Sequence, residues 1–521
     1  MVYDAYSILK TGHDQKGNFL PLVFSLGGGR PGGYIYATIP FVAFFGPTAL
    51  AARMVSVLSG LGIIILLYLL GKKFFSKSAG LAIAAVAAVN PWELSLSRGP
   101  FETHFALFLT TLGFYSFLKG LKNKYWLLGA ALSFGLATQT YSTYRLTVPL
   151  FTGLLLIWGM YSQGFTLRSY LKKPAFLVFV AVISIFTILS VYLTVSRGKE
   201  DRFDIINIFK DPTLRSTISQ KVKAEMTLDS LSPSVSHTLH NPRIELAGVL
   251  AENYAGNFLP HFLFLHGDGQ VRHNPAEMGE FFWIDAFLLI AGVIFLYQSN
   301  KKLLMLLIGW ILIAPIPTSL VGGPHALRSS LLLPPMLILT GLGFWKIWSI
   351  RGKPINLLNP AIFTILATLF FIQFTYFVDR FYFVAPQKNT KAWSYPAKEA
   401  AQLALENRRK FDFVILSNDI DNMEFAYPVY AKLDPNLVIK QNQSPAKIGE
   451  FKFFKYDNVY IGSLPNTRVM QFIKDLPGSV LYVGAEKEQK YLENYRMING
   501  FDDQPDLIIT EKAAIKDSNS Q

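Results

Sequence analysis

Ten apolar stretches, at about 54–71, 78–92, 105–121, 125–142, 146–162, 175–196, 281–298, 303–321, 329–349 and 359–378, limit what this chain can fold into. Each approaches the ~20 residues that a helix needs to cross a hydrocarbon core. In lipid only helices and closed barrels satisfy every backbone polar group, and continuous apolar runs of this length select helices. Hydrophobic residues make up 51% of the 521-residue chain. That excludes an ordinary soluble enzyme and leaves a multi-span membrane protein.

The connections between the stretches fix an expected orientation. Alternate loops carry Lys72, Lys73 and Lys77; Lys119, Lys122 and Lys124; Arg168, Lys172 and Lys173; Lys301 and Lys302; Lys346, Arg351 and Lys353. These fourteen basic residues have no acidic companion in their loops, so the positive-inside rule makes that face cytoplasmic. The opposite face then carries loop 90–104, the large loop 197–280, loop 322–328 and everything after residue 378. The net charge of +14 is thus a membrane-topology signal, and it does not call for nucleic acid. The absence of cysteine excludes disulfides, thiolate nucleophiles and Cys-ligated zinc.

Residues 1–33 are polar and Gly-rich, and Tyr34–Gly46 is apolar but too short to span, which predicts an interfacial or re-entrant helix. Ten spans leave the N-terminus on the outer face with no signal peptide to take it there. The expectation is a truncated start, with an eleventh span upstream of Met1. From Asp379 onward the composition becomes that of a small α/β domain. A helix is predicted over 397–410, and buried strands over 411–417, 458–462, 479–484 and 506–510. The domain organisation read from sequence is therefore a membrane domain, 1–378, and an extracytoplasmic α/β domain, 379–521. The second has no nucleophile elbow or phosphate loop, and its expected role is a cap or acceptor-contacting module.

Before Glu200 the chain holds four acidic residues, Asp4, Asp14, Glu93 and Glu102, and all face outward in this topology. Acidic residues contribute little to orientation, so their segregation is not a by-product of it. Glu102 stands with Arg98 and His104 at the mouth of a span, where ionisable groups are costly and usually paired; a structural Arg98–Glu102 pair and a catalytic one are both open. A second group is Gly322-Gly-Pro-His-Ala-Leu-Arg328. His325 and Arg328 share a face if the span's helix begins at the loop, and an arginine fork beside a double glycine suits a phosphate at headgroup level. Snorkelling accounts for Arg328 but not for the pair. A third group, His266, Asp268 and His273, holds ligand-type residues at spacings that match no defined metal signature. A packed loop is the reading there, with a divalent metal cofactor kept as the alternative.

Several of these segments together resemble family 39 glycosyltransferases, relatives of the dolichyl-phosphate-mannose protein mannosyltransferases and of the lipid A aminoarabinose transferase. The resemblance rests on Tyr3-Asp-Ala-Tyr6 with the run to Gln15, Leu20-Pro-Leu22, Tyr34–Gly46, Ala52-Arg53, Pro91–Glu102, Asn253-Tyr254, Phe262-Leu-Phe264 and Pro324–Arg328. It covers the membrane part, about 1–378. It implies a mainly α, polytopic helical bundle of the C-type glycosyltransferase superfamily, with a C-terminal soluble α/β domain. It further implies an inverting enzyme of the inner membrane that takes a hexosyl or pentosyl group from a polyprenyl phosphate on the outer face. The acceptor would be lipid, glycan or protein. By position, Arg53, His325, Arg328, Tyr3 and Asp4 resemble substrate-binding residues, and Glu102 with Arg98 supports the catalytic site. The family's Asp-Glu base pair is expected upstream of Met1, and Asp4 is not that base. The alternatives are a flippase or transporter of lipid-linked saccharides, or an inactive truncated relative.

Overall fold

The structure, a computed structural model, describes residues 1–25, 28–164, 166, 168, 172–197, 207–229, 232–350, 358–501 and 503–513. The chain divides into two compact units. One holds Leu22–Tyr34 and Val55–Asp379; the other holds Met1–Pro21, Ile35–Met54 and Arg380–Gln521.

Helices occupy every one of the ten apolar stretches, most of them in the first unit. Among the described residues, six helices are long and apolar enough to cross a membrane by length and composition: Ala49–Phe74, Tyr144–Gln163, Pro174–Ser196, Lys301–Ser319, Ser330–Ser349 and Thr364–Lys388. Tyr125–Thr138 and Trp283–Ser299 are apolar but shorter, as is Gly33–Phe45, the stretch read as too short to span. Of the basic loop residues, Arg351 and Lys353 lie outside the described residues.

The stretch expected over 78–92 as one span is the beginning of a bent helix pair. Lys77–Val89 and Pro91–Arg98 are two helices bent by 60°. Proline disfavours the α region for the residue before it, and Asn90 is extended at φ −69°, ψ 132°. The same residue restarts the helix, because its Oδ1 accepts the Glu93 N–H at 3.0 Å and Pro91 takes the first helical turn. The second segment is then anchored by side chains: Trp92 Nε1 donates to the Ala326 carbonyl at 3.2 Å, and Asn90 Nδ2 to the Glu280 carbonyl at 3.2 Å. Below this bend the core is aromatic, with Trp310 4.4 Å from Phe151 and 5.1 Å from Phe114 between ring centroids. Trp283–Ser299 packs on Leu333–Ile350 at backbone contact. A Cβ on Gly292 would lie 1.9 Å from the Leu339 carbonyl oxygen, and one on Gly343 would lie 1.8 Å from that of Leu288. Small residues permit this approach in helix pairs that lack a hydrophobic driving force.

A two-stranded ribbon, β1 (Val23–Phe24) and β2 (Arg30–Pro31), belongs to the first unit and presents Arg30. The second unit is built on a seven-stranded sheet of β3 (Phe413–Ser417), β4 (Ala446–Ile448), β5 (Phe451–Tyr456), β6 (Val459–Gly462), β7 (Val480–Ala485), β8 (Tyr495–Asn499) and β9 (Pro505–Lys512). The order is β4-β5-β6-β3-β7-β9-β8, with β6, β3 and β7 parallel and the outer pairs antiparallel. The continuous apolar strands are the central ones, buried on both faces as parallel strands require. Their boundaries agree with the sequence within two residues. Three outer strands, β4, β5 and β8, were not legible. Helix Val2–Thr11 joins this unit: Tyr3 is packed in its core, and its hydroxyl donates to the Leu433 carbonyl at 3.1 Å.

Candidate functional site

In the membrane unit a cavity of about 330 Å³ is lined by three arginines, Arg30, Arg145 and Arg328, together with Glu102. They come from four elements. β2 supplies Arg30, the start of Glu102–Gly120 supplies Glu102, the start of Tyr144–Gln163 supplies Arg145, and the loop before Ser330 supplies Arg328. Arg30 Nη1 lies 3.3 Å from Glu102 Oε1, with the Glu102 side chain 11% exposed. Arg145 Nη1 donates to Thr194 Oγ1 at 2.8 Å. The rest of the wall is largely apolar, with Leu146, Val191 and Val195. Three guanidinium groups and one carboxylate give the lining a net positive charge, and the rest of it is apolar. Arginine forks match phosphate geometry. The cavity therefore has the chemistry to hold an anionic head on an apolar tail.

Of the residues singled out in sequence, Glu102 and Arg328 meet in this cavity. Arg98, half-buried at the end of Pro91–Arg98, is not among its lining residues. His325 goes elsewhere, because residues 325–329 form a turn and the helix starts only at Ser330. Its Nδ1 lies 3.6 Å from Asp268 Oδ2, and His273 Nδ1 lies 3.0 Å from the same oxygen. Asp268, His273 and His325 place one ligand-type atom each within 4.8 Å of one another. His266, grouped with two of them in the sequence, instead has its ring against His261 at 4.6 Å between centroids. Burial acts to raise the Asp268 carboxyl, but the His273 hydrogen bond and the two imidazoles outweigh it and hold it below the ordinary value. Glu280, whose Oε1 accepts the Asp268 N–H at 2.9 Å, is pushed well up by burial and then by the Asp268 charge.

The remaining three residues lie in the second unit. Asp4 accepts Gln15 Nε2 at 3.1 and 3.2 Å, and Tyr3 is taken up by Leu433 as described. The Arg53 guanidinium stands 5.5 Å over the Trp393 ring.

Two features were not found from sequence. Arg30 and Arg145 had a usable signal: both are basic residues outside the loops that carry the basic runs. The other is a buried pair. His104 Nε2 lies 3.0 Å from Glu93 Oε1, with side chains 0% and 2% exposed. Glu93 Oε2 and His104 Nδ1 have no hydrogen-bond partner among the described residues.

Residues 31–195 match the model of a family described as dolichyl-phosphate-mannose-protein mannosyltransferase. None of the curated proteins matches the chain. Among solved structures, ArnT from Cupriavidus metallidurans bound to undecaprenyl phosphate is similar, with a TM-score of 0.53 at 11% identity over 98% of this chain and 92% of that one. The archaeal oligosaccharyltransferase AglB from Archaeoglobus fulgidus, in complex with an inhibitory peptide and a dolichol-phosphate, gives a TM-score of 0.45 at 13% identity, over 82% of this chain and 59% of that one.

Proposed function

We propose that this chain, which resembles the protein mannosyltransferases over residues 31–195 and shares the fold of ArnT, transfers a sugar from a polyprenyl-phosphate donor to a lipid, glycan or protein acceptor. The observation that carries the reading is a cavity lined by Arg30, Arg145 and Arg328 together with apolar side chains. In this reading the arginines hold the donor phosphate. As the acceptor's nucleophilic atom bonds to the anomeric carbon and gives up its proton to a base, the sugar–phosphate bond breaks with its electron pair left on the phosphate oxygen, and the guanidinium groups stabilise the growing charge. The chemistry needs no nucleotide fold, because the leaving group is carried on lipid. Glu102 is a positioning residue: its carboxylate holds the Arg30 fork, and Arg98 supports the same loop. Leu146, Val191 and Val195 receive the first isoprenoid units. Arg53, Tyr3, Asp4 and His325 have their proposed part in substrate binding by resemblance.

The topology assigned from the basic loops puts the cavity on the outer face of the inner membrane, with residues 379–521 as an extracytoplasmic domain. The test uses the full-length protein in membranes with radiolabelled polyprenyl-phosphate sugars. Transfer of label to lipid, glycan or protein, lost in Arg145→Met, is the expected result. Movement of the labelled lipid across the bilayer without sugar transfer would replace this reading with that of a flippase.

A further inference from the structure

We propose that Tyr144, Ser330 and Thr103 form a directed chain of hydroxyl groups that holds Arg145, Arg328 and Glu102 in place around the cavity. They are positioning residues: none of the three lines the cavity, and each acts through a close neighbour in sequence that does. Their part in donor binding rests on the proposed sugar transfer. Their hold on the arginines does not.

Glu102 and Arg145 stand at the starts of two helices, and Arg328 stands in a turn far along the chain. Nothing covalent fixes the spacing of these three. Thr103 follows Glu102, Tyr144 precedes Arg145, and Ser330 lies two positions after Arg328. These three hydroxyl residues meet one another. Thr103 Oγ1 donates to the Leu327 carbonyl at 2.8 Å and lies 2.8 Å from Ser330 Oγ, and the Tyr144 hydroxyl lies 2.9 Å from the same Ser330 oxygen. All three side chains are fully buried. The turn before Ser330 is non-helical backbone, which a membrane protein tolerates only where the protein itself supplies the partners.

The direction of the chain follows from counting protons. A hydroxyl has one to donate, and a carbonyl oxygen only accepts. Thr103 spends its proton on Leu327, so Ser330 must donate to Thr103 and Tyr144 to Ser330. The chain therefore runs from Tyr144 through Ser330 and Thr103 to the carbonyl of the residue before Arg328, each link polarising the next. A second chain ends beside it. Ser329 Oγ donates to Asn257 Oδ1 at 2.5 Å, so Thr318 Oγ1, 2.9 Å from Ser329 Oγ, donates to Ser329. The backbone is thus tied both before and after Arg328, and the first chain joins that turn to the two helix starts that carry Glu102 and Arg145. Loss of the Thr103 hydroxyl strands a donor and an acceptor together, whereas loss of the Tyr144 hydroxyl leaves the other two links intact.

The experiment uses the full-length protein in detergent and two readouts. One is the rate at which phenylglyoxal modifies Arg145 and Arg328, followed by mass spectrometry and independent of any ligand. The other is binding of a short-chain polyprenyl phosphate, read by native mass spectrometry. Thr103→Val should speed modification of Arg328 and weaken binding about tenfold. Tyr144→Phe should speed modification of Arg145 and weaken binding less, and Thr103→Ser, which restores the hydroxyl, should return both readouts toward wild type. Thr110→Val is the control, because its hydroxyl is as deeply buried in the same helix but donates to the Ala106 carbonyl at 2.8 Å; both readouts should stay at the wild-type value. In an Arg328→Met background, Thr103→Val should weaken binding less than it does alone. Unchanged reactivity of both arginines in either folded variant overturns the proposal, and so does an equal effect of Thr110→Val. If the wild-type protein binds no polyprenyl phosphate, the donor reading falls, and the modification rates still decide the positioning.

Discussion

Replacing His104 by leucine should destabilise the membrane unit severely, and replacing its partner as well should restore most of the loss. Glu93 and His104 meet at 3.0 Å with both side chains sealed from solvent. Removing one member of a buried pair leaves the other uncompensated at about 3–5 kcal/mol, whereas replacing both by apolar groups of similar volume is often near neutral. His104→Leu should therefore cost about 3–5 kcal/mol. Glu93→Leu should cost less, about 1–3 kcal/mol, since it strands a neutral N–H donor. The double variant should lie within about 1 kcal/mol of wild type. Denaturant unfolding in mixed micelles, run as a double-mutant cycle, measures these quantities. If the double variant loses the sum of the two single losses, the pair is not energetically coupled and the reasoning fails.

Three further outcomes follow from the same geometry. Gly60→Ala should destabilise by about 1–3 kcal/mol, because its Cβ would fall 2.2 Å from Ser97 Oγ and 3.0 Å from Glu93 Oε1; unchanged unfolding would show that the helices separate freely there. Arg145→Met should weaken binding of a short-chain polyprenyl phosphate about 10- to 100-fold, as expected from losing a charge-assisted bond of about 1.5–3 kcal/mol, while Arg145→Lys recovers part of it; native mass spectrometry reads both. In the second unit burial pushes the Glu488 carboxyl up from 4.5, against hydrogen bonds from Tyr482, Ala485 and Ser417. The fold thus favours its protonated form, so this contribution is fully present below about pH 4.5 and declines as pH rises through the raised value. Unfolding of Glu488→Gln measured over that range should lack this slope.

Apolar run length placed ten helices and turn chemistry placed the central strands, because both signals are local. Strand β5 escaped because Phe451-Lys-Phe-Phe-Lys-Tyr456 breaks strict alternation, and its pairing with β6 is decided by tertiary contact. The kink at Asn90-Pro91 was present in the letters, yet the length of the apolar run made it read as a single span. Site residues fared by the same rule. Glu102 was legible from the scarcity of acidic residues, and Arg328 from its place after a double glycine and His325. Arg30 was hidden in a glycine-rich segment and Arg145 at the end of an apolar run. The meeting of His325 with Asp268 bridges 57 positions, and no spacing rule reaches that far.

The Tyr3 hydroxyl and the Leu433 carbonyl that accepts its proton are 430 positions apart. At about 5–20 residues per second of synthesis, the first helix leaves the ribosome roughly 20–90 s before its partner exists. During that interval Tyr3 and Ala5 have no core to enter, and the helix must be sheltered by membrane or by a chaperone. Slowing elongation in the intervening stretch would lengthen that exposure without altering a single amino acid. Synonymous codon changes are therefore a way to lower the yield of this protein while leaving each finished molecule intact.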